Sequence, residues 1–311
     1  MRVRGAAIVF IATALVAGLA ASAFALVRFP APGTASKVAA LVAASHTVQR
    51  LPAKLLPPLT QVANDKTGAY YGVASRQCTG VTKCVFADSA SKTVIVLFGD
   101  SHAQMWLPAL VPAAQRAHDR LVLIWRPGCT AATITVFDST THGDDKACNA
   151  FRTSSIAEIR ALSPKAVLIA DRTSDIPGSG NVLTTDAAWK SGLEQTLAAL
   201  KSAKTRVEVI GDITAFTDLL PDCLAAYPAS VQTCSVPNPN PTTHQHFAAE
   251  AAAAAAEGVA YLNPQPWLCT KVCSPIIGTM AAYCDRFHVT ATYAEYLSGV
   301  FATSLRPLLG P

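Results

Sequence analysis

The sequence contains few charged residues and no cluster of lysine or arginine. Charged residues account for 14% of the 311 positions, and the formal net charge of +5 is only mildly basic. Nucleic-acid-binding proteins usually carry clustered basic residues interleaved with aromatic ones, and this chain has no such segment. We therefore expect no nucleic-acid partner. No internal repeat is apparent either.

Long hydrophobic runs are also scarce, and the chain has one at most. Arg2 and Arg4 precede an apolar run over residues 6–25, which ends in the small-x-small sequence Ala23-Phe24-Ala25. This arrangement is typical of an export signal peptide. A run of 20 residues is also long enough to span a bilayer as an N-terminal membrane anchor. Both interpretations of residues 1–25 predict an extracytoplasmic protein, either secreted or anchored to the outer face of the membrane.

Cysteine, by contrast, is abundant. The chain has nine cysteines, and so many thiols in an exported protein are more often paired than free. Proximity in sequence suggests four disulfide bonds, namely Cys78–Cys84, Cys129–Cys148, Cys223–Cys234 and Cys269–Cys273. An alternative is a zinc site formed by Cys269 and Cys273 with Cys284 or with His244 and His246, but this spacing matches no common zinc pattern. We expect the two histidines, which lie beside a Pro/Asn-rich loop, to be exposed, and Cys284 to be unpaired.

The rest of the sequence divides into a lead segment and one folded domain. Residues 26–70 are rich in Ala and Pro and are interpreted as a linker or short helical lead-in, and residues 71–311 as the domain. Short apolar strand patterns alternate with helical patterns in the domain. Strands are predicted over residues 93–98, 121–125, 165–170, 206–210 and 259–262, and helices over 103–117, 148–162, 186–203, 243–257 and 290–305. This alternation predicts an α/β fold, a three-layer α/β/α sandwich with a five-stranded parallel sheet.

The most informative segment is Gly99-Asp100-Ser101-His102, which directly follows the first predicted strand. Open α/β sheets carry their chemistry at the carboxyl ends of their strands. The Ser101 hydroxyl is expected there, beside the free N–H groups of a helix start, which favour negative charge. These residues alone leave two interpretations open: Ser101 is a nucleophile, or it only caps the helix. Asp100 is expected to cap and orient the turn.

A serine nucleophile needs a base within hydrogen-bond reach and a group that orients the base. His102 is adjacent in sequence, but neighbouring residues at a helix start project in different directions, so we do not expect it to reach Ser101. Asp285 and His288 form a better pair, three positions apart just before the last predicted helix. In a tight turn the Asp285 carboxylate can reach His288 Nδ1 and leave Nε2 free. The alternative is that His288 is an ordinary core or surface histidine.

These residues resemble the SGNH (GDSL-like) hydrolase superfamily. The similarity is greater to one branch, the SGNH domains usually fused to the C-terminus of acyltransferase family 3 membrane proteins, and it extends over residues 75–305. It is carried by Gly99-Asp100-Ser101, by Asp285-x-x-His288, and by the segments 97–110, 128–129, 221–226, 267–269 and 288–294. The resemblance implies a flavodoxin-like SGNH hydrolase fold. It also implies that Ser101 is the nucleophile, His288 the general base and Asp285 its orienting carboxylate.

The oxyanion donors implied by the resemblance are only partly present. The superfamily uses a glycine after the second strand and an asparagine after the third. Gly128 matches the glycine, and the Ser101 N–H is a further expected donor. After the third strand this chain has Asp171-Arg172-Thr173-Ser174, without asparagine. The Arg172 guanidinium could replace that donor, or it could pair with Asp171 or Asp175. Loss of one oxyanion donor typically costs about 10²–10³ in rate, so a different donor or slow turnover is expected.

Together these observations predict an exported serine esterase or O-acyltransferase that acts on O-acyl groups of cell-envelope or extracellular polysaccharide. The chemistry requires no metal and no organic cofactor. A separate membrane acyltransferase is an expected partner for a transferase, because the fused relatives carry a multi-span membrane domain that this chain lacks. The alternative is a non-catalytic protein that keeps the SGNH fold to bind glycan or a membrane partner.

Overall fold

The computed structural model describes residues 30–72, 80, 84–202 and 204–309. Its strands are β1 (Val85–Ala87), β2 (Val94–Gly99), β3 (Arg120–Trp125), β4 (Phe137–Asp138), β5 (Gly143–Asp144), β6 (Ala166–Ala170), β7 (Arg206–Ile210), β8 (Val236–Pro237), β9 (Ala260–Leu262), β10 (Val272–Cys273), β11 (Ile276–Ile277) and β12 (Met280–Ala281). Its helices are α1 (Ala35–Ala44), α2 (Leu59–Val62), α3 (Thr67–Tyr70), α4 (Ser101–Met105), α5 (Leu107–Arg116), α6 (Lys146–Leu162), α7 (Asp186–Leu200), α8 (Leu220–Ala226), α9 (Phe247–Ala256), α10 (Ala291–Tyr296), α11 (Ser298–Ser304) and α12 (Arg306–Leu309). None of these helices is both long and apolar enough to cross a membrane. The signal or anchor segment predicted over residues 1–25 lies outside the described residues.

Six strands form the central sheet, in the order β1-β3-β2-β6-β7-β9. All neighbours are parallel except β1, which pairs antiparallel with β3 at one edge. The five parallel strands are those predicted from the sequence, and β1 is an additional strand that the sequence did not predict. The chain passes from β2 to β3 and then returns to β6 on the other side of β2, which is the flavodoxin-like order. The predicted α/β fold is therefore confirmed.

Helices cover both faces of this sheet, which makes the three predicted layers. Ile95 and Leu97 of β2 face a core shared with α4, α5, α10 and α11, whereas Val96 and Phe98 face a second core shared with α6, α7 and α9. Successive side chains of a strand point to opposite faces. A strand covered on both faces must therefore be apolar throughout, as β2 is.

The described part of the Ala/Pro-rich segment interpreted as a linker packs against the domain. Val38 and Val42 of α1 are buried, and the Gly33 N–H donates to the Tyr296 carbonyl at 2.7 Å. Farther along, the Thr67 hydroxyl donates to the Met105 carbonyl at 3.1 Å. This second contact brings the start of α3 against α4, next to Ser101.

Three disulfide bonds join pairs that the sequence suggested: Cys129–Cys148, Cys223–Cys234 and Cys269–Cys273. The fourth suggested pair includes Cys78, which lies outside the described residues. Cys284 is a buried free thiol, and burial raises its pKa well above the usual value. Because a cysteine binds zinc only as a free thiolate, the disulfide between Cys269 and Cys273 excludes the zinc alternative built on those two residues.

Candidate active site

The turn after β2 is held close to the end of the neighbouring strand β6. Gly99 has φ +153°, and a Cβ added to it would lie 2.1 Å from the Ala170 carbonyl oxygen. The next residue, Asp100, is buried and caps α4 by accepting the His102 N–H at 2.8 Å. Its carboxylate also accepts the Arg172 N–H at 3.0 and 3.2 Å. The loop after β6 thereby fixes the turn that presents Ser101.

The three residues predicted as a catalytic triad lie together in hydrogen-bonding order. Ser101 Oγ lies 2.8 Å from His288 Nε2. On the other side of the ring, His288 Nδ1 lies 2.9 Å from both carboxylate oxygens of Asp285. With the Nδ1 proton donated to Asp285, Nε2 is the acceptor for the Ser101 hydroxyl. This is the arrangement in which a serine can lose its proton to a histidine.

Asp285 also organises the turn that carries His288. Its Oδ1 accepts the backbone N–H groups of Phe287 and His288 at 2.8 and 2.9 Å, so one carboxylate orients both the turn and the ring. Burial alone would raise the pKa of Asp285, but the hydrogen bond and charge of His288 lower it well below its usual value. Lys66 Nζ contributes to this lowering from 3.2 Å. Asp285 therefore stays ionised, and Lys66 is a site residue that the sequence interpretation missed.

A second His–Asp pair lies behind the triad. His102 Nδ1 lies 2.6 Å from Asp212 Oδ1, and both side chains are buried. The His102 ring meets the His288 ring edge to face, with 5.1 Å between centroids. His102 thus supports the triad histidine instead of bonding to Ser101. Asp212 lies two residues after the end of β7, so its position near a strand end was the signal that could have identified it.

Asp171 lies in the loop where the family pattern has asparagine, and its side chain hydrogen-bonds to the backbone of neighbouring loops. Its carboxylate accepts the Asp100 N–H at 3.2 Å and the Ala131 N–H at 2.9 and 3.0 Å. Burial, together with the neighbouring Asp100 carboxylate, raises the pKa of Asp171. Asp171 therefore joins the loops that follow three neighbouring strands, β2, β3 and β6.

Besides Ser101, the residues expected as oxyanion donors are Gly128 and Arg172, and both lie in these loops. Gly128, in the loop after β3, has φ +66°, and its N–H forms no hydrogen bond within the described part of the chain. The Arg172 guanidinium lies over the Phe287 ring, 4.8 Å from its centroid. The carboxylate of Asp175, one of its candidate partners, instead accepts the His244 N–H at 2.8 Å. Arg172 is therefore stacked on the residue that precedes His288.

A cavity of about 180 Å³ opens beside Ser101 and His288. Its other lining residues are Lys66, Thr67, Gln104, Met105, Trp125, Pro127, Cys284 and Val289. Most of the lining is apolar, with Ser101 and His288 as the reactive polar groups. The volume is below the range of about 300–1,000 Å³ that is usual for drug-sized ligands, so the cavity fits a small group.

Within the part of the chain that the structure describes, one group of side chains could hold a metal ion, and it lies outside this cavity. Asp186, His244 and His246 bring ligand atoms within 4.8 Å of one another. The sequence interpretation expected both histidines to be exposed, and for His246 this was wrong. His246 is 1% exposed, because its ring stacks on buried Trp189.

A family model and one solved structure agree with this fold. A family model described as the SGNH domain fused to AT3 domains matches residues 69–303, and no curated protein matches the chain. The periplasmic domain of the lipopolysaccharide acetyltransferase of Salmonella ser. Paratyphi A is similar in fold, with a TM-score of 0.58 and 15% identity over 79% of this chain and 97% of that one. A GDSL-like lipase from Bacteroides thetaiotaomicron VPI-5482 gives a TM-score of 0.42 with 14% identity over 79% of this chain and 98% of its own. A carbohydrate acetylesterase from Sinorhizobium meliloti gives 0.43 with 12% identity over 70% and 99%. Because the family model covers most of its length, this chain belongs to the SGNH domain family found fused to AT3 domains.

Proposed function

We propose that this protein is an extracytoplasmic serine enzyme that removes or transfers a short O-acyl group on polysaccharide through an acyl-serine intermediate. The observation that carries the proposal is the continuous hydrogen-bonded line from Ser101 Oγ through His288 to Asp285, with distances of 2.8 and 2.9 Å. A helix-capping serine does not need a histidine at its hydroxyl, and a core histidine does not need an exposed cavity beside it. Both alternatives from the sequence explain the site less well.

In the first half-reaction, Ser101 Oγ attacks the carbonyl carbon of the acyl ester while His288 Nε2 takes the hydroxyl proton. Asp285 holds the Nδ1 proton and stabilises the imidazolium that forms. Collapse of the tetrahedral intermediate breaks the bond to the leaving alcohol, which takes the proton from Nε2. The products are the free alcohol and an acyl ester of Ser101. A water or sugar hydroxyl then attacks the carbonyl carbon of the acyl-serine while Nε2 takes its proton. Collapse of this second tetrahedral intermediate breaks the bond to Ser101 Oγ, which takes the proton back from Nε2.

The negative oxygen of each tetrahedral intermediate would accept hydrogen bonds from the Ser101 and Gly128 N–H groups. Arg172 is the proposed third donor, because its guanidinium lies beside Phe287, next to His288. Replacing Arg172 with Met would lower kcat by about 10²-fold if the guanidinium touches the oxyanion. Lysine at this position should restore part of the rate as a point charge. The same loss in both variants would indicate that the planar stack on Phe287 is what matters.

The chemistry of the cavity favours a small acyl group such as acetyl. Its volume of about 180 Å³ and largely apolar wall leave little room for a long chain beside Ser101. The similar structure from Salmonella is named a lipopolysaccharide acetyltransferase domain, and the family description includes fusion to AT3 domains. The first name supports a glycan as the acceptor or substrate. The family description supports a membrane acyltransferase, here a separate one, as the source of acyl groups for transfer.

An extracytoplasmic location is supported by the disulfide bonds. Cys129–Cys148, Cys223–Cys234 and Cys269–Cys273 are all formed in the structure. Structural disulfides persist in oxidising compartments and are rare in the cytosol. Residues 1–25, as a signal peptide or anchor, would deliver the domain there.

The test uses the purified full-length protein, a fluorophosphonate probe and an aryl acetate substrate. Ser101 should be labelled, and Ser101→Ala and His288→Ala should each lower hydrolysis by about 10³-fold or more. Ser230→Ala, at an exposed serine far along the chain, is the matched control and should keep full activity. Absence of labelling, or unchanged rates in the two triad variants, would instead favour the non-catalytic glycan-binding protein.

A second assay separates esterase from transferase. The acyl-enzyme is offered a free oligosaccharide in increasing concentration, and both free acetate and acetylated sugar are quantified. A transferase shows acetylated sugar increasing while free acetate falls. An esterase shows free acetate only.

A further inference from the structure

Asp186, His244 and His246 form a compact group of donor atoms contributed by two separate segments. Asp186 is the first residue of α7, and the two histidines lie in the loop before α9. His246 Nδ1 lies 2.6 Å from Asp186 Oδ1, and His244 Nε2 lies 3.5 Å from the same oxygen. The two imidazole rings meet edge to face, with 4.6 Å between their centroids. Two nitrogens therefore converge on one carboxylate, although Asp186 and His244 are 58 positions apart in the sequence.

The backbone around this group is already fixed. His246 N–H donates to Thr173 Oγ1 at 3.4 Å, and His244 N–H donates to Asp175 Oδ1 at 2.8 Å. The Asp175 N–H in turn donates to the His244 carbonyl at 2.8 Å. Both histidines are thus held against the loop that follows β6. A ligand bound by them would need to order little of the chain, which favours affinity.

The orientation of His246 leaves one nitrogen for a ligand. Its ring stacks on Trp189 at 5.2 Å with an interplanar angle of 14°. Its Nδ1 faces Asp186, whereas Nε2 is buried without a hydrogen-bond partner among the described residues. Nδ1 is therefore the nitrogen that a ligand beside Asp186 would meet.

We propose that Asp186, His244 and His246 bind one Zn²⁺ ion or a chemically similar divalent transition metal. Two imidazole nitrogens and one carboxylate oxygen are ligands that zinc prefers, at about 2.0–2.1 Å each. Tetrahedral ligands at that radius lie about 3.3 Å apart, close to the 3.5 Å between His244 Nε2 and Asp186 Oδ1. The 2.6 Å hydrogen bond of His246 would open by less than about 1 Å to admit the ion.

The remaining coordination position would face solvent. The side chains of Asp186 and His244 are 63% and 45% exposed, whereas that of His246 is fully buried. The ion would join the N-terminus of α7 to the loop before α9. Through Thr173, that loop contacts Asp212, the partner of His102. The site is therefore a clamp on the loops beside the triad, and it takes no part in the proposed acyl transfer.

The experiment uses untagged full-length protein, stripped with a chelator and titrated with Zn²⁺ alone by calorimetry. We expect one equivalent to bind, and Asp186→Asn and His244→Ala each to weaken binding at least tenfold. Both substitutions are at exposed side chains, so the fold should survive, and Asn keeps a hydrogen-bond acceptor for His246. His46→Ala, at an exposed histidine in the N-terminal segment, is the control and should leave binding unchanged.

A thermal measurement gives an independent result. A hundredfold excess of Zn²⁺ over Kd should raise the midpoint of unfolding by about 5 °C in the unsubstituted protein, and not in Asp186→Asn. Mg²⁺ and Ca²⁺, which prefer all-oxygen sites, should have no such effect. The proposal is overturned if Zn²⁺ does not bind saturably, or if it binds equally well to both exposed-site variants. Since no readout involves ester hydrolysis, the result is independent of the enzymatic proposal.

Discussion

His288 Nε2 lies 2.8 Å from Ser101 Oγ although 187 positions separate the two residues. The two side chains meet because β2 delivers Ser101 to the carboxyl edge of the parallel sheet, and the turn before α10 projects His288 over the same edge. Asp285 holds that turn and that ring with one carboxylate. The contact therefore depends on the position of the whole C-terminal segment against α4 and α5.

Asp285→Asn should lower kcat for aryl acetate hydrolysis by about 10⁴-fold, because the amide favours the wrong tautomer of His288. The amide oxygen can still accept the Phe287 N–H, so the fold should be retained. Circular dichroism and steady-state kinetics check both expectations. A reduction of less than tenfold would contradict the role proposed for Asp285.

Lys66→Met should change kcat by no more than about threefold. Lys66 Nζ is 3.2 Å from Asp285 Oδ2, but its side chain is 52% exposed. Exposed ion pairs contribute only about 0–1 kcal/mol, because solvent and salt screen them. The same kinetic assay measures this effect, and added salt should reduce any difference between the two proteins. A loss comparable with that of Asp285→Asn would show that Lys66 contacts substrate.

Gly99→Ala should lower the free energy of unfolding by about 2–4 kcal/mol. The added Cβ would meet the Ala170 carbonyl oxygen at 2.1 Å, at a φ of +153° that side chains rarely adopt. Gly258→Ala is the matched control, since Gly258 has φ +62° with open space around it, and it should cost only about 1–2 kcal/mol. Urea unfolding measures both. Equal losses of unfolding free energy in the two variants would show that the close approach of β2 and β6 at Gly99 adds nothing to the cost of the substitution.

Removing the Cys129–Cys148 disulfide with two alanines should cost about 3 kcal/mol of stability. It should also lower kcat by about tenfold, because Gly128 precedes Cys129 and its N–H would lose its fixed position. The corresponding removal of Cys223–Cys234 is the control, because this disulfide closes a shorter loop and neither cysteine lines the cavity beside Ser101; it should lower stability without lowering kcat. If both double variants keep full kcat, Gly128 is not an oxyanion donor.

Glu208→Gln should stabilise the protein at high pH and not at low pH. Burial raises the pKa of Glu208 to about 7, whereas in the unfolded chain it is about 4.3. Between these values the folded state keeps a proton that the unfolded chain releases, so the contribution of Glu208 to stability falls as the pH rises toward 7. We expect Gln to add about 1–2 kcal/mol at pH 8.5 relative to pH 4. Urea unfolding at both pH values measures the difference, and an effect independent of pH would contradict the raised pKa.

Local patterns were enough to predict much of this structure. Each parallel strand is a short apolar run between helical patterns, so it can be predicted from residues that are adjacent in the sequence. The antiparallel strand β1 was missed because Val85–Ala87 is three residues long and only half-buried. Asp212, Lys66 and the burial of His246 were missed because each depends on a partner far away in sequence: His102, Asp285 and Trp189.

The sequence by itself determined the α/β alternation, the place of Ser101 at a strand end and the turn that joins Asp285 to His288, since these follow from residues that are close along the chain. Only the tertiary structure decided that the two turns meet, that Lys66 reaches Asp285, and that Asp186 lies beside His244 and His246. The physical reason is that these contacts form when helices pack on the two faces of the sheet. That packing depends on shape and burial across the whole core, which no single stretch of sequence encodes.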